Sequence, residues 1–331
     1  MATWMLSHAR RSVVGCLVAL LSLPLASCCG LSTSTTDMPQ KAYVATDDGT
    51  IFARYAPIFV LETYAKTYNR IGSAAARLDE DREEEVYVDP AAPSFYVQKR
   101  QFQTERGSYT NLIYRVEFPG VPFPKLTAGA NAGLLVIITL NTEDEPVLVT
   151  TDLTCGCYPA LVPTDNLPPK ALPQGWDTGG QCVLGEELPG LIRFPKPFDS
   201  SYRPVILLRD GTHRVMGMRV ESVKEAAWRY GVVPARLQPM DALDAVPVDG
   251  GTTSYFVTSG PKRGLVKDAA RPLEFLLISW WAMDSSVGRP KRYADSRESG
   301  KVFYTSLKFW RREDSDMWRF PEFLRFWGWR L

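Results

Sequence analysis

The chain has 331 residues, with 38 basic against 37 acidic side chains, and a net charge of +1 leaves no cationic surplus for gripping nucleic-acid phosphates. A hydrophobic fraction of 45% and an aromatic fraction of 11% are those of a globular chain with a real core. The 25 prolines and 24 glycines call for many turns and argue against a fold of long helices.

The first segment carries Arg10 and Arg11, then an apolar run from Val13 to Leu25, then Leu25-Ala26-Ser27-Cys28. A spanning helix needs about 20 apolar residues, so this run is too short to anchor a protein as a helix. A basic start, a short apolar middle and small residues before a cysteine resemble the lipobox signal of bacterial lipoproteins. The resemblance covers residues 1–28 alone. It implies that residues 1–27 are removed, that Cys28 carries covalent lipid and that residues 28–40 act as a flexible tether. Cys29, rather than an aspartate, follows the lipidated position, which for this family implies the outer membrane. A single acyl chain anchors weakly, whereas a triacylated cysteine anchors stably. Residues 1–27 contain two arginines and no acid, so the remainder holds 36 basic and 37 acidic residues.

Residues 41–331 read as one β-rich α+β domain, a mostly antiparallel sheet or sandwich with two or three short helices. Residues 43–62 hold two strands around an Asp48-Gly49 turn, the second of them the apolar Ile58-Phe59-Val60-Leu61. Ala74 to Leu78 favour a helix by propensity, although Gly72 interrupts it. Six acids within residues 79–85 read as a solvated loop, because their spacing lacks the alternating ligands and central glycine of a calcium loop. Residues 96–104 and 112–118 form a hairpin, ended by Pro119. Leu134-Leu135-Val136-Ile137-Ile138 is apolar on both faces and belongs at the centre of a sheet. Residues 146–153 return beside it and lead to Cys155-Gly156-Cys157. Residues 159–204 form a long Pro/Gly-rich loop, and long loops are either functional or poorly ordered. Residues 205–208 and 215–220 flank an Asp210-Gly211 turn. Ser222 and Glu225 make a capping box for a helix ending at Gly231. Residues 234–251 read as a connecting loop. Residues 255–258, 275–281 and 302–309 read as strands, and Pro321 opens a short helix stopped by Gly328.

Three cysteines remain in the folded part, Cys155, Cys157 and Cys182, and His213 is its sole histidine. In an oxidising compartment the favoured reading is a disulfide from Cys155 or Cys157 to Cys182. A Cys155–Cys157 bridge is disfavoured, because an extended strand holds the two side chains too far apart. Unpaired thiols, and a tetrahedral zinc site on Cys155, Cys157, Cys182 and His213, are the competing readings. His213 beside Asp210 has the makings of a general base, but a hydrogen-bonded turn histidine is the plainer assignment. No nucleophile elbow, phosphate loop or zinc-protease motif is present. Six of the nine tryptophans fall within the last 52 residues. They read first as core packing of a terminal strand and helix, and second as a sugar- or lipid-facing platform.

The resulting expectation is a lipid-anchored cell-envelope protein with a non-catalytic binding or assembly role. Its partners would be the bacterial membrane, through the lipid, and an envelope protein, with no nucleic acid and no cofactor beyond the lipid. The alternative is a periplasm-facing enzyme, either metal-dependent at the cysteine/histidine set or a hydrolase using carboxylates that sequence alone cannot assign.

Overall fold

A strand apolar on both faces needs neighbours at both edges and cover on both sides. Gly129–Leu140 (β7) has both. In the computed structural model, which describes residues 40–331, it lies between Gly107–Val121 (β6) and Pro146–Leu153 (β8). The lipobox at residues 25–28, the signal segment 1–27 and all of the tether except residue 40 lie outside the described residues.

In chain order, Lys41–Ala45 (β1) is followed by one helical turn, Ile51–Tyr55 (α1), and by Ile58–Leu61 (β2). Ser73–Leu78 (β3) and Glu84–Asp89 (β4) form a separate hairpin. Ser94–Thr104 (β5), β6, β7 and β8 then form an antiparallel meander, continued by Cys157–Pro163 (β9). Gln181–Val183 (β10) and Glu186–Leu188 (β11) are a short hairpin inside the proline-rich stretch. Tyr202–Leu208 (β12), Val215–Ser222 (β13), the helix Val223–Tyr230 (α2) and Val232–Pro239 (β14) come next. Val246–Val248 (β15) pairs with Gly251–Thr253 (β16). Three helices lie in the last segment: Pro272–Ala282 (α3), Ser296–Ser299 (α4) and Phe320–Phe326 (α5).

Ten strands make one curled, mixed sheet in the order β13-β12-β2-β1-β14-β5-β6-β7-β8-β9. Six of its pairings are antiparallel; β1·β14, β14·β5 and β2·β12 are parallel. The fold is therefore β-rich α+β and mostly antiparallel, as the patterning predicts. Period-2 alternation divides the core between the two faces. Leu112, Tyr114, Leu134, Val136 and Ile138 enter one cluster with Phe59, Phe95 and Ile206. Ile113, Leu135 and Ile137 enter another, closed by Phe303, Met317, Phe320, Phe323 and Trp329 from the C-terminal segment. α2 covers the far end of the sheet by packing Ala226 against Ala42, Ile58, Val60 and Val205. Its capping box is formed, with Ser222 Oγ accepting from the Glu225 amide at 3.1 Å.

Five sequence readings need correction. Ala74 to Leu78 form a strand, because pairing with residues 84–88 satisfies their backbone and seats Ala74 and Ala76 on a buried cluster. Residues 232–239 are a strand in the middle of the sheet. Pro234 is tolerated there because the carbonyls of Gly231 and Ala235 take the bonds from the amides of Ala42 and Thr46, at 3.0 and 2.8 Å, so no amide is needed at 234. Residues 275–281 are helical, since a helix satisfies its own backbone with no sheet neighbour. Residues 255–258 and 302–309 contribute isolated bridges only. Strand β6 also runs through Pro119 to Val121, where β5 no longer flanks it.

Candidate functional site

β8 ends at Leu153, and the chain turns through Thr154, Cys155 and Gly156 before β9 begins at Cys157. Gly156 sits at φ +84°, and a Cβ there would overlap the Tyr304 carbonyl oxygen, so only glycine makes this turn. The turn brings the Cα atoms of Cys155 and Cys157 to 5.5 Å, and the two residues form a disulfide. The sequence reading favoured Cys182 as the partner, on the premise of an extended chain in which residues two apart are about 6.6 Å distant. The left-handed glycine removes that premise. Cys182, on β10, is joined to neither Cys155 nor Cys157.

The disulfide turn is one wall of a cleft of about 520 Å³, within the range of small-molecule sites. Leu161 of β9, residues 181–184 of the β10 hairpin, and Tyr304, Thr305 and Leu307 complete much of its lining. Trp176, Trp327 and Trp329 supply aromatic faces. Trp176 and Trp329 meet edge to face at 4.8 Å. Trp176 Nε1 donates to the Gly190 carbonyl at 2.7 Å, and Trp327 Nε1 to Thr305 Oγ1 at 3.2 Å. With these indole N–H groups already partnered, the two rings have their apolar faces left to offer.

A single carboxylate enters this lining. Glu274, on the first turn of α3, is buried, and its Oε2 has no hydrogen-bond partner. Its carboxyl lies over Gly288, where any Cβ would overlap it. Burial raises its pKa, against the pull of Arg271 and Lys291. Behind the disulfide turn, Lys291 is fully buried and donates to the Cys155 carbonyl. Burial brings its ammonium down to about 8, although Asp284, Asp152 and Glu274 oppose that shift. Tyr304 packs its ring 4.4 Å from Lys291 Nζ and donates its hydroxyl to Asp284. Asp152 is fully buried with both oxygens unpartnered, and desolvation holds its pKa well above the carboxylate range. Deeper still, Arg115 pairs with Glu117 and donates to the Lys291 carbonyl at 2.7 Å. The apolar cleft is thus backed by a layer of buried ionisable groups, of which Glu274 reaches the lining.

His213 is elsewhere. It is buried in the β12–β13 turn, stacked on Phe118 at 4.0 Å, with Nε2 3.1 Å from the Tyr68 carbonyl oxygen. Burial depresses its pKa to about 3. Asp210 bonds to Lys66, Tyr68 and Asn69 and makes no hydrogen bond to His213. Among the described residues, no group of three or more His, Cys, Asp or Glu side chains is arranged to hold a metal ion. Cys155, Cys157 and Cys182 do line one cleft, but His213 is not part of that lining.

Sequence reasoning missed Glu274, Lys291 and Trp176. Glu274 did leave a signal, as the lone charge in the apolar stretch 272–283. Lys291 left none, because a lysine in a loop looks the same whether buried or solvated. The tryptophans divide. Trp329 is buried in the core as expected, whereas Trp280, Trp281, Trp310 and Trp327 are exposed, which core packing does not explain. Comparison with family models, curated proteins and solved structures finds no match for this chain.

Proposed function

We propose that this protein is a lipid-anchored component of the bacterial outer membrane, held through Cys28, whose folded part is a non-catalytic binding module. Its ligand has an apolar or aromatic body and a hydrogen-bond-donating head, an amine or a hydroxyl. The observation that carries this reading is the tryptophan-walled cleft with one carboxyl, Glu274, whose Oε2 lacks a partner. Buried polar atoms are costly to leave unsatisfied, so a donor placed against Oε2 gains a bond that the protein itself does not supply. The two-carboxylate hydrolase reading finds less support, because Glu274 is the single acid in the cleft lining among the described residues.

Titrating tryptophan emission with decylamine, decanol and decanoate below their aggregation concentrations tests the reading. The amine and alcohol should give saturable changes, with decanoate at least about tenfold weaker, a difference of about 1.4 kcal/mol. Leu161→Arg, which fills and charges the cleft, should abolish the response. No saturable change with any probe, or equal affinity for all three, overturns it.

A further inference from the structure

We propose that the outer face of α3, with the neighbouring Phe309-Trp310 turn, lies against the lipid bilayer surface to which the protein is anchored. This rests on the lipid-anchored reading above and adds a second, non-covalent membrane contact. The helix reads Pro-Leu-Glu-Phe-Leu-Leu-Ile-Ser-Trp-Trp-Ala, and its one charged residue, Glu274, is turned into the protein. Phe275, Leu276, Leu277, Trp280, Trp281 and Met283 are exposed, Leu276 to 68% and Trp280 to 74%. A helix apolar on all sides belongs inside a protein or against lipid. At about 16 Å this one is too short to cross a bilayer whose hydrocarbon core is about 30 Å thick, so it can only lie along the surface.

The patch continues beyond the helix. Arg312 donates to the Ala282 carbonyl and so fastens the 309–311 turn to the end of α3. Phe309 and Trp310 on that turn are exposed too. Contiguous apolar surface of this extent is uncommon on a free monomer. Its chemistry selects lipid as the occupant. The exposed face offers no charge, and tryptophans are enriched at the level of lipid headgroups. Lys308 and Arg311 stand exposed at its edge, where long cations reach phosphates while their stems rest on apolar surface. Arg311 also holds Asp314 at 3.0 Å. The lipid proposed on Cys28 would hold the protein beside the bilayer, so this second contact needs only modest affinity of its own.

The test is tryptophan quenching by brominated phospholipid in vesicles that carry the mature protein, compared with Trp280→Ser/Trp281→Ser. The parent should be quenched relative to vesicles of unbrominated lipid, and the double variant should lose at least about two thirds of that quenching. Equal quenching of both proteins, or none in the parent, overturns the proposal. So does a dimer in sedimentation analysis that the double substitution dissociates, since a second copy would then cover the helix. The mass of the mature protein reports the anchor separately. If Cys28 proves unmodified, adding soluble protein to preformed brominated vesicles decides the role of α3 by itself.

Discussion

The strands β5 to β8 and the segment 240–331 use the same kinds of residues to opposite ends. In the meander, every second side chain enters one core and the others enter its counterpart, so Leu134 to Ile138 are buried whichever way they point. In the C-terminal segment, apolar residues are divided between the core, the cleft and open surface. Trp329 is buried and Trp327 lines the cleft, whereas Trp280 is exposed. The meander is held by continuous ladders. Beyond the short β15·β16 hairpin, the segment joins the rest by apolar packing, isolated bridges and polar contacts, such as Tyr293 Oη donating to the Met317 carbonyl at 3.0 Å. Continuous strand pairing is concentrated in the first region and exposed apolar surface in the second.

That contrast is open to measurement. Ile137→Ala, in the middle of β7, should cost about 2–5 kcal/mol in denaturant unfolding, through lost burial and the cavity left behind. A loss under about 1 kcal/mol would show that the meander is not the stable centre.

A second measurement uses His213, which the sheet encloses at the β12–β13 turn. Its folded pKa of about 3 lies below the ordinary 6.5, so the unfolded chain binds a proton in that window and the folded one does not. The stability it allows is complete above pH 6.5 and falls by about 1.4 kcal/mol per unit as pH drops toward 3. His213→Gln should flatten that part of the stability curve. Buried Asp152 and Glu117, whose pKa values are raised, slope the other way in both proteins and cancel in the comparison. An unchanged slope would mean that the ring is solvated in the folded state.

The smallest effect is expected on α3. Leu276→Ala should change unfolding stability by less than about 0.5 kcal/mol, because the side chain already faces solvent. A loss comparable to that at Ile137 would place the helix in the structural core and remove its availability to lipid.

Legibility in the sequence follows the same divide. The hairpin of β5 and β6, the place of β7 inside the sheet rather than at its edge, the Asp210-Gly211 turn and the Ser222 capping box could be read directly, because each depends on residues that are neighbours along the chain. Residues 74–78 and 232–239 could not, because alanines and prolines carry weak or contrary local preferences that strand partners from elsewhere override. Residues 275–281 had a pattern compatible with helix or strand, and periodicity does not separate the two in a short apolar run.

The sequence by itself determined the β-rich class, the position of the strongest strand, the helix cap and the cysteines available for pairing. Each is set by composition or by a spacing of a few residues. The tertiary structure decided which cysteines join, since a single left-handed glycine at 156 converts an extended span into a turn. It also decided which carboxylate reaches a cleft and which tryptophans face outward. Burial depends on what the rest of the chain packs against a residue, and that is settled by contacts between segments far apart in sequence.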